Sequence, residues 1–130
     1  MTARSDIEHE VSQRAGQRCE YCRMHQSLQG ATFHVEHIIP RSRNGSSQLD
    51  NLAWACPACN LHKSNRVEVQ LAGTDEVLRL FNPRLDRWNE HFVGDGYAVR
   101  GRTDSGGATV EVLCLNDDRS FDPYPGDLRQ

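Results

Sequence analysis

His34-Val35-Glu36-His37-Ile38-Ile39-Pro40, followed by Asp50-Asn51-Leu52 and then by Cys59-Asn60, occupies the interval framed by two Cys-x-x-Cys pairs, Cys19/Cys22 and Cys56/Cys59. Each pair is a knuckle whose two thiolates can point at one tetrahedral ion, and a structural zinc takes four sulfur or nitrogen ligands. The gap between the pairs is longer than the common zinc-ribbon spacing. The chain between them must therefore fold as a unit that returns to its start. A disulfide framework or a redox pair is the rival reading. The chain has five Cys in 130 residues, no signal peptide and no long apolar run. In an intracellular chain of that kind, tight pairs favour metal. The fifth cysteine lies in the apolar run Val110-Glu111-Val112-Leu113-Cys114-Leu115 and reads as a small buried hydrophobe.

The pattern between the pairs gives a local order of strand, loop, strand, helix. Phe33 to Ile39 is rich in aromatic and β-branched residues and reads as a strand that Pro40 ends. Residues 41–47 are polar and carry an Asn44-Gly45 turn signal. Leu52 to Ala55 is a short apolar stretch that suits a second strand. Pro57 fits the first position of a helix that runs to Lys63. Glu36 and His37 leave opposite faces of a regular strand, and His34 shares the face of Glu36. Asn60, on the first turns of the helix, can approach Glu36 if strand and helix pack.

These residues resemble the HNH endonuclease family with its ββα-metal fold. The match lies in an acidic residue before a His and a following Ile and Pro (Glu36-His37-Ile38-Ile39-Pro40), in Asp50-Asn51-Leu52, and in Cys59-Asn60 with nearby Lys63. It covers about half the chain, from the first knuckle to Asn65. The family often has Asp where this chain has Glu36. The metal-binding position near the end of the motif is commonly Asn in the four-cysteine type, so Asn60 rather than His62 takes that place.

The resemblance implies roles for these residues. Cys19, Cys22, Cys56 and Cys59 hold a structural Zn²⁺. His37 is the general base on water, a task its ordinary pKa near 6.5 suits. Glu36 and Asn60 hold one Mg²⁺ or Mn²⁺ through hard oxygen ligands. Asn51 ties the loop across the strands and fixes the direction of His37. Arg41, Arg43, His62 and Lys63 are the candidate phosphate contacts. The expected activity is hydrolysis of DNA phosphodiester bonds, leaving 5′-phosphate and 3′-hydroxyl ends. The rival reading is a non-catalytic zinc module that binds nucleic acid or a protein partner.

Composition bounds the rest. The chain is expected to form one α+β domain: an N-terminal helix and zinc-stapled HNH core over 5–66, and a mixed α/β extension over 67–130. A hydrophobic content of 37% implies a small core, for which a zinc staple makes sense. The net charge of −3 is unusual for a nucleic-acid binder. It is unevenly spread: residues 1–66 hold 8 Lys and Arg against 6 Asp and Glu, whereas residues 67–130 hold 7 against 12. Weak, salt-sensitive DNA binding is expected, with a protein partner or a homodimer supplying specificity. No membrane association is expected, and the cytoplasm is the expected compartment.

Outside the motif, Ser5-Asp6-Ile7-Glu8 has capping-box spacing, and Gly16 ends the helix that follows and is expected to rest on the first knuckle. Glu76 to Phe81 suits a strand or a short helix. Leu85 to Phe92 reads as a helix with Leu85, Trp88 and Phe92 on one face. Tyr97 to Gly101 reads as a strand, and Ala108 to Leu115 fits strand and helix equally. The acidic end from Asp117 reads as a loose tail.

Overall fold

The computed structural model describes residues 4–96 and 98–117. The chain order is α1 (Arg4–Arg14), β1 (His34–His37), β2 (Leu52–Ala55), α2 (Pro57–Lys63), β3 (Glu68–Gln70), β4 (Val77–Arg79), α3 (Trp88–His91), β5 (Phe92–Asp95), β6 (Ala98–Gly101) and α4 (Asp104–Val112). The fold is α+β, and the strands pair antiparallel as β1–β2, β3–β4 and β5–β6. Tyr97 and the acidic tail beyond Asp117 lie outside the described residues.

The order strand, loop, strand, helix is present as β1, β2 and α2. The register sets His34 opposite Ala55 and His37 opposite Leu52. The connection between the strands is long and needs special residues to turn. Asn44 takes a left-handed backbone, φ 67°, which Asn tolerates in turns. Gly45 is demanded by space, because a Cβ there would meet the Ile39 carbonyl oxygen at 1.7 Å. At the start of α2, Pro57 occupies the first helical turn, and the Cys56 sulfur caps the helix by accepting the Cys59 N–H.

α1 lies across the β1–β2 pair and buries Val11. Arg14 at its end donates to the carbonyls of Leu49 and Leu52. Val11 also shares a buried cluster with Cys19 and Cys22 of the first knuckle. Gly16, at φ 65°, turns the chain into the knuckle.

The second half departs from expectation in two places and settles one open reading. The helix expected over 85–92 shortens to α3, Trp88–His91. Asn82 and Asp86 explain this by folding the preceding residues into a turn: Asn82 Oδ1 accepts from the Arg84 N–H, and the Asp86 carboxylate accepts from the Asn82 N–H. Leu85 is consequently 75% exposed rather than sharing a face with buried Trp88 and Phe92. The ambiguous 108–115 segment resolves as the end of α4, whose start is capped by Thr103 Oγ1 accepting the Gly106 N–H. Cys114, expected to be buried, is only half-buried.

One buried cluster draws on both halves, including Val11, Tyr21, Met24 and Trp54 from the first and Phe81, Trp88, Phe92 and Leu113 from the second. Phe81 meets the Tyr21 ring edge-on at 6.4 Å. Trp88 Nε1 donates to the Tyr21 carbonyl, and the Arg23 guanidinium lies over the Trp88 ring. The aromatic residues of the extension are therefore core, and they brace the first knuckle. Among the described residues no helix is long and apolar enough to cross a membrane.

Candidate zinc centre and hydrolytic cleft

The two knuckles converge. All four thiols are buried, and their sulfurs lie within 4.8 Å of one another. Cys22 Sγ and Cys56 Sγ, one from each knuckle, are 3.9 Å apart. A disulfide requires about 2.05 Å. Sulfurs at the corners of a zinc tetrahedron, with Zn–S near 2.3 Å, sit about 3.8 Å apart. In each knuckle the second cysteine's N–H points back at the first sulfur: Cys22 to Cys19 at 3.5 Å and Cys59 to Cys56 at 3.4 Å. Burial pushes the Cys19 and Cys59 thiols well up, while hydrogen bonds from the neighbouring thiols hold Cys56 far below its ordinary value. A dry pocket of four sulfurs at this spacing fits a zinc ion.

β1 carries the next two groups on opposite sides. Glu36 points inward and is 5% exposed. Its Oε1 accepts from the Tyr21 hydroxyl at 2.6 Å, and its Oε2 lies 3.0 Å from Lys63 Nζ. Lys63 is itself 2% exposed and also donates to the Ile38 carbonyl at 2.9 Å. Burial raises the Glu36 carboxyl above its usual range, with the Lys63 ammonium and the Tyr21 hydroxyl pulling the other way. This is a buried ion pair that the fold closes over.

His37 points outward. Its Nε2 is 3.0 Å from Ser47 Oγ on the far side of the loop. Partial burial, and then the positive charge of Arg41, lower its proton affinity below that of an ordinary histidine. Both effects favour the uncharged imidazole, the state a general base needs. Asn51 fixes the backbone behind it. Its Oδ1 accepts from the Ile39 N–H at 2.9 Å, and its Nδ2 donates to the carbonyls of Ile39 at 2.9 Å and Ser46 at 2.7 Å. One buried amide thus ties the end of β1 to the loop that carries Ser47.

An open cleft of about 320 Å³ brings His37, Arg41 and Asn60 together, with Glu36 at its inner wall and Ser64 and Asn65 at its edge. A hard divalent ion asks for oxygen donors, and the donor set here is the Glu36 carboxylate with the Asn60 amide. The Lys63 ammonium is the cation that Glu36 holds in this structure. The donors fit such an ion by chemistry, provided it competes with Lys63.

Residues 19–66 match the family model described as HNH endonuclease. Over that span the chain is similar to the HNH endonuclease family. HNH domains are nuclease-type modules, and the matched span runs from the first zinc knuckle through β1, β2 and α2. The chain is also similar to the Septu protein PtuB of Bacillus thuringiensis, 27% identical over 103 residues. That similarity covers 76% of this chain and 37% of the length of PtuB. No solved structure matches the chain.

The expected phosphate contacts separate. Arg41 is exposed and lines the cleft. Arg43 is exposed but paired with Glu68 at 3.3 Å. Lys63 is 2% exposed, and its ammonium is bound to Glu36 and to the Ile38 carbonyl. His62 does not line the cleft and lies by Cys114 and Asp117. His34 is exposed and does not line the cleft. Sequence reasoning missed Tyr21 and Ser47. Tyr21 had a usable signal, an aromatic residue held between the two cysteines of a knuckle. Ser47 had none, being one of several serines in a polar loop.

Proposed function

We propose that the chain is a metal-dependent endonuclease that hydrolyses DNA phosphodiester bonds, with His37 as the base. The observation that carries this reading is the placement of an outward-facing His37 in one cleft with Arg41 and Asn60, within the span that matches the HNH endonuclease model. His37 takes the proton from a water, the resulting hydroxide forms the new bond to phosphorus, and the 3′-oxygen leaves with the electrons of the broken P–O bond. In the tautomer that donates Nε2–H to Ser47 Oγ, Nδ1 is the nitrogen that receives the proton. Arg41 draws the phosphate against the imidazole. Asn51 holds His37 in direction without touching the reacting atoms.

Glu36 and Asn60 are the residues that would hold a Mg²⁺ or Mn²⁺ ion, which supplies neutralisation of charge on the scissile phosphate. Zn²⁺ in the four-cysteine site keeps the two ends of the motif together. DNA is the substrate, and a protein partner or second copy supplies sequence preference. The buried Glu36–Lys63 pair favours the second reading, a binding module that holds nucleic acid without cutting it. Analysis of product ends decides between them. A metal-dependent nuclease converts duplex DNA with Mg²⁺ or Mn²⁺ to fragments whose 5′-phosphate and 3′-hydroxyl ends a ligase rejoins. A binding module shifts the DNA in a salt-sensitive gel assay and leaves it intact with either ion.

A further inference from the structure

His62 and Cys114 have metal-ligand chemistry that the cleft does not use, and the fold brings them together. His62 stands on α2, three residues after Cys59 of the second knuckle. Cys114 and Asp117 come from the turn that ends α4. One ligand atom from each of the three lies within 4.8 Å of the other two. His62 and Cys114 are half-buried, and Asp117 is exposed at the edge.

The turn that offers two of these groups is held on both sides. α4 ends in a Schellman arrangement: Leu115 N–H donates to the Val110 carbonyl at 3.1 Å, and Cys114 N–H donates to the Glu111 carbonyl at 3.2 Å. The residue at the reversal takes a left-handed backbone and is usually glycine. Here it is Cys114, at φ 51°. Leu113 and Leu115 on either side are fully buried. Asn116 grips β6 with both side-chain atoms, accepting from the Val99 N–H at 2.6 Å and donating to the Val99 carbonyl at 3.1 Å. Asp117 N–H closes on the Cys114 carbonyl at 3.1 Å. A thiol and a carboxylate are thus presented from a fixed backbone toward a helix that the four-cysteine centre fixes from its other end.

A thiolate, an imidazole and a carboxylate make a donor set for a borderline-soft dication, zinc first among them, and a poor one for Mg²⁺. Three protein ligands leave one tetrahedral position for water. We propose that His62, Cys114 and Asp117 form a second transition-metal site, which binds zinc and ties the HNH helix α2 to the C-terminal end of α4. Having three ligands and an exposed edge, it releases its ion to mild chelation before the closed four-cysteine site does.

Cobalt binding to the full chain tests this. Protein whose four-cysteine site is filled with zinc is titrated with Co²⁺ and followed by absorbance. The expected result is one further equivalent of Co²⁺, with a thiolate-to-cobalt band in the near ultraviolet and visible bands of tetrahedral intensity. Cys114→Gly should abolish both the band and the extra equivalent. Glycine suits the left-handed position, so this variant keeps its fold and its first zinc, which circular dichroism and metal analysis verify. His62→Ala should weaken Co²⁺ binding at least tenfold. No thiolate band in the wild-type chain, or an unchanged band in Cys114→Gly, overturns the proposal. DNA cleavage does not enter the readout, so the outcome stands apart from the nuclease reading.

Discussion

Glu36 and His37 are neighbours in sequence and opposites in environment. The Glu36 side of β1 is dry: carboxylate, ammonium and phenol satisfy one another beneath the extension's aromatic residues. The His37 side is wet, with a hydrogen bond to Ser47 and an open cleft. A strand's alternation makes this division possible with no extra elements. It also assigns costs: changes on the closed side unsettle the fold, whereas changes on the open side alter chemistry and leave the fold intact.

The largest effect should come from the centre that both sides share. Cys56→Ser removes one zinc ligand, and metal binding is part of folding free energy in such sites. Zinc content and cooperative thermal unfolding should be lost together, as metal analysis beside calorimetry checks. Retention of one tightly bound zinc and an unchanged Tm would break the assignment of the four cysteines.

Lys63→Met probes the closed side. Removing one partner of a buried ion pair leaves an uncompensated charge and costs about 3–5 kcal/mol, readable by urea unfolding at pH 7. With Lys63 gone, burial pushes the Glu36 carboxyl further up. Its folded proton affinity then exceeds the unfolded one by more than in the wild type, so the variant should be relatively stable in acid and lose stability as pH rises toward neutral. Mn²⁺ should restore part of the loss, because an ion that binds only the folded state stabilises it by mass action. No recovery with Mn²⁺ would count against Glu36 as a ligand.

Asn51→Ala sits on the boundary between the two sides. It leaves the Ile39 N–H and two carbonyls without their partner, a loss of about 1–3 kcal/mol. It should also slow cleavage by loosening the direction of His37. The smallest effect is a shift along the pH axis. Cleavage should rise with pH through a value below 6.5, the ordinary histidine pKa, and be flat near neutrality. Arg41→Gln removes a positive charge that lowers the His37 affinity for protons, so its acid limb should move to higher pH. An unmoved limb would mean that another group is titrating.

The HNH half was legible in the sequence because its constraints are local. Cys-x-x-Cys spacing, Pro57 at a helix start and the Asn44-Gly45 turn each act over a few residues. The partner of Glu36 was not legible. Lys63 reads as a surface cation beside a metal motif, and only the packing of α2 on β1 turns its ammonium inward onto the carboxylate. The Tyr21 hydroxyl is similar, since its aim depends on Phe81 and Trp88 from the other half. In the extension, Leu85 to Phe92 has helical periodicity. The Asn82 and Asp86 side chains outcompete it by capturing backbone N–H groups. The pairing of His62 with Cys114 and Asp117 joins residues more than 50 positions apart, and nothing local announces it.

The most direct test is supercoiled-plasmid cleavage at low salt with Mg²⁺, Mn²⁺ or EDTA, using the wild-type chain beside His37→Ala. The account predicts nicking or linearisation that either metal supports and EDTA abolishes. His37→Ala should be slower by about 10²–10⁴-fold, the usual contribution of a positioned base, with zinc content and Tm unchanged. Wild-type rates from His37→Ala, or cleavage that persists in EDTA, would contradict it.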